Sequence, residues 1–237
     1  MDEKERALAV VRALEAAYPD AECSLDSGSA LELLIATRLS AQCTDARVNI
    51  VTQELFARYK TAEDFAGAEI ADIERIIHSC GLYKTKARDI VAACRVLCAE
   101  YGGEVPRTLE ELVKLPGVGR KTANLVVGDC FGQPSYVTDT HCIRIVNRLG
   151  FADTDDPYKV ELILRRLIPP EKSGMFCHRL VWHGRAVCKA RKPECEACAL
   201  REYCAYAKAQ GGETTAPGKS ARAGKKAPAK RAKKTGA

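Results

Sequence analysis

The 237 residues contain no run of about 18 apolar positions, the length a helix needs to cross a bilayer, so no membrane-spanning helix is expected. The opening stretch Met1-Asp2-Glu3-Lys4-Glu5-Arg6 is charged and lacks the apolar core of a secretory leader. A cytoplasmic protein is expected. Period-2 alternation of apolar and polar residues is missing as well, and no internal repeat is evident, so an all-α fold is expected. A disulfide framework is disfavoured, because the twelve cysteines of a cytoplasmic chain this long should be reduced. Excess positive charge is absent from most of the chain. Residues 1–210 carry 29 basic and 30 acidic side chains, a net of −1, whereas residues 211–237 carry eight Lys or Arg against Glu213 alone, a net of +7. Attraction to a polyanion must therefore come from local patches and the tail, not from a uniformly basic body. That tail lacks large apolar residues, cannot bury a core, and is expected to be disordered.

Helical periodicity is what the chain has in quantity. Residues 3–17 space Leu8, Val11 and Leu14 along one face. Ser29 with Glu32, and Thr108 with Glu111, read as capping boxes. Thr44 and Thr61 open two more helices; Ile70, Ile73 and Ile77 mark another that Gly81 ends. A stripe over residues 87–97 stops at Gly102-Gly103. Further helices are expected over residues 120–130, from Asp139 through Arg148, from Asp156-Pro157 to Pro169-Pro170, and over residues 176–187.

Three constellations carry chemistry. Cys188, Cys195, Cys198 and Cys204, spaced C-x6-C-x2-C-x5-C, lie within seventeen residues, too short a loop for a core. Thiolates so close share a metal centre. Zinc sites usually pair two C-x2-C knuckles and only one occurs here, so a cuboidal iron–sulfur cluster suits the uneven spacing better. The basic loop inside it, with Lys189, Arg191 and Lys192, is a candidate for phosphate contact. Secondly, residues 115–123 (LPGVGRKTA) read as helix, glycine turn, helix. Gly117 and Gly119 permit backbone angles closed to other residues, and the next helix start, with Arg120, offers amides and a dipole to an anion. A plain connector is the alternative. Thirdly, Lys121 falls in the first turn of that helix, where a desolvated amine can be a nucleophile or a surface ammonium can hold phosphate. Asp139 precedes another helix; it serves as N-cap, and a capped carboxylate stays rigid and ionised.

Together these stretches resemble the endonuclease III family of helix-hairpin-helix DNA glycosylase/AP lyases. Leu33-Leu34-Ile35-Ala36, Leu39-Ser40-Ala41-Gln42, Gly81-Leu82-Tyr83, Gly103-Glu104-Val105-Pro106, residues 115–124, Asp139-Thr140-His141, Asn147-Arg148 and His183-Gly184-Arg185 carry the match, over about residues 5–206. The resemblance implies an all-α, two-lobed fold. A six-helix barrel with the hairpin spans residues 26–133, and a 4Fe-4S cluster lobe spans 134–207 with the N-terminal segment 1–25 packed on it. Residues 208–237 form the basic tail. By the same resemblance Lys121 attacks C1′ of a flipped oxidised pyrimidine in double-stranded DNA, expels the base, and nicks the abasic site by β-elimination with help from Asp139. Gln42 and Leu82 match positions that fill the hole left by the flipped nucleotide. The cluster shapes the DNA-binding loop, and the protein is expected to work as a monomer near the bacterial nucleoid. Two rivals remain. A mismatch glycosylase for adenine or thymine typically lacks lysine at 121, and the adenine branch needs a glutamate near Ala36-Thr37-Arg38. A non-catalytic iron–sulfur DNA-binding or redox module would not need Lys121 at all.

Overall fold

A computed structural model describes residues 1–210, which form helices and turns without a strand among the described residues. The basic tail lies outside them. In chain order the helices are α1 (Glu3–Ala17), α2 (Ala30–Ser40), α3 (Asp45–Arg58), α4 (Ala62–Ala66), α5 (Ile70–Ile77), α6 (Tyr83–Tyr101), α7 (Leu109–Leu112), α8 (Arg120–Phe131), α9 (Thr140–Leu149), α10 (Pro157–Leu167), α11 (Ser173–Ala186) and α12 (Ala205–Ala209). Single 3₁₀ turns occupy His78–Cys80, Pro170–Lys172, Cys195–Ala197 and Arg201–Tyr203.

Side-chain caps set most of the starts. Asp2 and Glu5 form a reciprocal capping box on α1, and Thr61 with Asp64 does the same on α4. The two boxes read from the sequence are only half closed. Ser29 and Thr108 accept from the amides of Glu32 and Glu111 as expected. The return arms go elsewhere: Glu32 takes the amide of Gly28, and Glu111 takes the hydroxyl of Thr108 itself. Helix α6 begins at Tyr83, four residues ahead of the stripe that marks it, because its first turn is polar on the exposed side.

The packing sorts the helices into two groups around one continuous apolar core. Helices α2 to α8 pack among themselves: α2 on α3, α6 and α8; α4 and α5 on α6; α7 on α8. Helix α9 packs on α10, α11 and α12, and α1 returns to lie on α10 and α11, burying Ala7, Val10, Val11 and Leu14 there. Helix α12 runs to Ala209, two residues past the boundary expected at 207. The chain crosses between groups through residues 132–139. Its buried middle is tied down at each step: the Ser135 amide donates to Ser173 Oγ, the Tyr136 amide to Asn124 Oδ1, and the Tyr136 hydroxyl to the Ile168 carbonyl.

Candidate active site and cluster loop

The turn from Val113 to Gly119 joins α7 to α8. Gly117 has φ +72°, and a Cβ there would lie 2.7 Å from Asp89 Cβ, so both conformation and space require glycine. Asp89 is held in turn by Arg38, whose Nε donates to Oδ2 at 2.9 Å. Gly119 is different, and corrects the expectation that both glycines need special angles. Its φ is an ordinary −91°, and a Cβ there meets nothing within 4 Å. Gly119 is also the N-cap of α8 and provides no side chain to its amides. No side chain caps those amides, the arrangement that suits a phosphate oxygen at the positive end of a helix.

Lys121 is the second residue of α8 and is exposed. Arg120 beside it is part-exposed but engaged within the protein. Its guanidinium grips the buried carboxylate of Glu161 on α10 at 2.6 and 2.8 Å and lies over the Tyr158 ring, 4.7 Å from its centroid. Arg165 holds the same carboxylate at 2.9 Å, and Asn124 donates to it at 3.3 Å. Burial pushes the Glu161 carboxyl up, but the two guanidinium groups outweigh it and hold the net value below the usual carboxylate range. The Arg120 side chain thus ties the first turn of α8 to α10.

Asp139 caps α9, its Oδ1 accepting from the Cys142 amide at 2.7 Å. His141, two residues on, was not singled out from sequence beyond its place in the Asp139-Thr140-His141 stretch, yet it links the pieces. Burial lowers its pKa first; Asp139 acts to raise it, and Arg144, Arg185 and Lys121 act to lower it. Asp139 and Lys121 thus act on the same ring with opposite sign. Gly184 on α11 makes room for it, since a Cβ there would stand 2.5 Å from His141 Nδ1.

Gln42 and Leu82 have φ of +54° and +49°, the only non-glycine residues with positive φ among the described residues. Each pays about 1–2 kcal/mol for that conformation. Both are exposed, and Leu82 leaves 56% of its surface in solvent, which is unusual for a leucine. Gln42 follows α2, and Leu82 is the N-cap residue of α6.

The four cysteines of the C-terminal loop are each partly buried and form no disulfide; of the other eight, Cys80, Cys94, Cys142 and Cys177 are buried and Cys23, Cys43, Cys98 and Cys130 partly buried. Those of the loop interact with one another. The Cys198 thiol is pushed up to about 12, by burial first and further by Cys188, Cys204 and Cys195, against a lowering amide at Leu200. Burial also raises Cys204, with Cys188 and Cys195 adding to it. Among the described residues no group of three or more His, Cys, Asp or Glu side chains closes on a single-ion site. Four cysteines on one short loop would supply the four thiolates of an iron–sulfur cube, and binding would displace their protons.

Helix α9 braces this loop. Arg148 Nη1 donates to Cys188 Sγ at 3.2 Å and to the Lys189 carbonyl at 2.9 Å, and its Nη2 reaches the Ala190 carbonyl at 2.7 Å. Arg144 holds the Cys188 carbonyl at 2.8 Å. Buried His183, its pKa lowered to about 4 by burial and then by Arg144, stands between Tyr18 Oη at 3.0 Å and Cys198 Sγ at 3.5 Å. A neutral ring so placed donates to one of these partners and accepts from the other. Lys189 pairs with Glu194 at 2.5 Å, and Arg191 and Lys192 are exposed on the loop. The helix that Asp139 caps is thus the same helix that holds the basic loop in place.

Comparison with known proteins follows the same lines. Residues 35–170 match the model of HhH-GPD superfamily base excision DNA repair proteins, which sets the class. Residues 188–204, from the first cluster cysteine to the last, match the iron–sulfur binding domain of endonuclease III. Endonuclease III of Synechocystis sp. is 47% identical over 207 residues, covering 87% of this chain and 94% of the relative. That of Bacillus subtilis is 46% identical, covering 79% and 86%. The structure of a trapped endonuclease III–DNA covalent intermediate superposes with a TM-score of 0.84 at 44% identity, covering 89% of this chain and 99% of that one. This chain belongs to the endonuclease III family, and the cofactor of its C-terminal loop is a 4Fe-4S cluster.

Proposed function

We propose that the protein excises oxidised pyrimidines from double-stranded DNA and nicks the abasic sites it makes, with Lys121 as nucleophile. Membership of the family makes it a base excision repair DNA glycosylase and AP lyase. The observation that carries the residue assignment is a pair of helix starts: Lys121 exposed in the first turn of α8, whose amides no side chain caps, and Asp139 held rigid as the cap of α9.

In this reading the backbone at Gly117, Gly119 and Arg120 takes a phosphate of the strand, while Lys189, Arg191 and Lys192 take others, without reading sequence. Gln42 and Leu82 enter the stack where the damaged nucleotide leaves it. The duplex then covers Lys121 and removes the water around its amine. The amine attacks C1′; the C1′–N bond breaks and its electron pair leaves with the base. Opening of the sugar ring gives a protein–DNA imine, loss of a C2′ proton breaks the 3′ C–O bond, and the strand is nicked. Asp139 stabilises positive charge developing on the sugar and assists the proton transfers. When bound, the cluster supplies a rigid four-thiolate anchor for the basic loop and takes no part in bond breaking. Support for the covalent step comes from the relative trapped in covalent linkage to DNA. The working form is a monomer in the bacterial cytoplasm at the nucleoid, and no helix among the described residues is long and apolar enough to cross a membrane.

Borohydride reduction during reaction with an abasic duplex tests the assignment. Wild type should give a covalent adduct and Lys121→Ala none; trapping of both proteins, or of neither, rejects Lys121 as the nucleophile.

A further inference from the structure

Lys86 is fully buried, at 0% exposure, on the first full turn of α6. Its Nζ donates to two backbone carbonyls, Leu39 at 2.8 Å and Cys80 at 2.7 Å. No carboxylate pairs with it among the described residues. A cation in the interior is costly to desolvate, and near the start of a helix it also opposes the dipole. An apolar side chain of equal length would fill the same space without that cost. What the ammonium adds is the pair of charge-assisted bonds, and their targets are informative. The Leu39 carbonyl lies in the last turn of α2, where carbonyls lack helical partners, three residues before Gln42. The Cys80 carbonyl closes the 3₁₀ turn two residues before Leu82. One buried side chain thus bridges the roots of the only two non-glycine residues with positive φ among the described residues. Left-handed backbone at such residues persists only where surrounding contacts over-determine it.

We propose that Lys86 is the positioning residue of the two loops that enter the DNA stack, fixing Gln42 and Leu82 at one separation and in one backbone conformation before DNA arrives. This rests on the assignment of Gln42 and Leu82 under Proposed function. Lys86 touches neither substrate nor Lys121 chemistry; it acts through the two loops.

The test compares two substrates in the full-length, cluster-loaded protein. A duplex containing thymine glycol needs both loops to displace a stacked nucleotide, whereas borohydride trapping on a single-stranded abasic oligonucleotide does not. Lys86→Met, which keeps length and removes the charge, should slow single-turnover duplex excision by about tenfold or more while single-strand trapping stays within about twofold of wild type. The fluorescence rise of a 2-aminopurine placed opposite the lesion, which reports unstacking on binding, should be lost in parallel. Lys86→Gln, which retains a donor, should recover part of both signals. In a Gln42→Ala, Leu82→Ala background, Lys86→Met should add no further loss. A role in general stability alone would lower both activities together, leaving their ratio unchanged, and that result overturns the proposal, as does undiminished duplex excision. Should Lys86→Met not fold, the ratio measured for Lys86→Gln decides in the same way. Absence of trapping by wild type on either substrate overturns the Lys121 assignment itself and the loop roles with it.

Discussion

One oxygen of the Asp139 carboxylate accepts the Cys142 amide at 2.7 Å, so capping occupies one oxygen and leaves the second outside this cap bond. The two duties can be separated by substitution. Asparagine caps a helix as well as aspartate does, so Asp139→Asn should melt close to wild type while its excision rate falls about a hundredfold or more. Asp139→Ala should lose the same activity and in addition about 1 kcal/mol of stability. Thermal melts beside single-turnover kinetics check both, and an active Asp139→Asn would remove the carboxylate from the chemistry. The residues differ in how far sequence exposes them. Asp139 is legible twice, as a cap and in its motif, and Lys121 by its place after the glycine turn. Gln42 and Leu82 are legible only through resemblance, because neither residue type favours a left-handed backbone and local pattern gives no hint of one. His141 and Lys86 are hidden for another reason: their meaning lies in contacts between segments far apart in the chain.

At the scale of elements, the hairpin before α8 contrasts two glycines that look alike in sequence. Gly117 is demanded by the fold itself, with φ +72° and Asp89 Cβ 2.7 Å from any added Cβ. Gly119 is not, having an extended backbone and open space. Gly117→Ala should therefore destabilise the protein by about 2 kcal/mol or more through strain and collision. Gly119→Ala should leave the melt within about 0.5 kcal/mol of wild type yet weaken binding to abasic duplex, since the methyl group intrudes where phosphate would sit. A normal Kd for Gly119→Ala on duplex DNA would sink the phosphate assignment. Helix positions were largely legible because apolar spacing and caps agree: Ser29, Thr44, Thr61, Thr108, Asp139 and Asp156 all cap, and α1 and α9 begin and end within a residue of expectation. The misjudged ends have a common cause. Helices α6 and α11 start three or four residues early, at Tyr83 and Ser173, where no side-chain cap announces them. Reciprocal capping was the weaker inference, because a glutamate side chain takes whichever donor stands nearest.

Across the whole molecule the two helix groups must hold Lys121 and Asp139 in register, although one belongs to each side of the crossing segment. The Glu161 carboxylate on α10, 1% exposed, is the main polar strut: Arg120 at the start of α8 grips it with two bonds, Arg165 supports it, and Asn124 joins it to the crossing segment through the Tyr136 amide. This strut was invisible in sequence, where Glu161 is one acidic residue on a helix and Arg120 reads as a DNA contact. Its chemistry fixes a pH dependence. Burial raises the Glu161 pKa, the two guanidinium groups lower it more, and the net shift is downward from 4.5. A carboxyl whose folded pKa lies below its unfolded one contributes stability that is complete above about 4.5 and is lost as pH falls further. At neutral pH Glu161→Gln should cost about 1–2 kcal/mol, allowing for solvent screening at the part-exposed guanidinium groups. As the solution is acidified below 4.5 wild type should lose that advantage and the two proteins should converge. Urea titrations at a series of pH values measure the gap directly. Because the strut holds the first turn of α8, the same variant should also trap more slowly on abasic duplex at neutral pH while remaining folded. A gap that stayed constant through the acid range would mean that the Glu161 carboxylate contributes shape alone, and that the lobes are aligned by their shared apolar core.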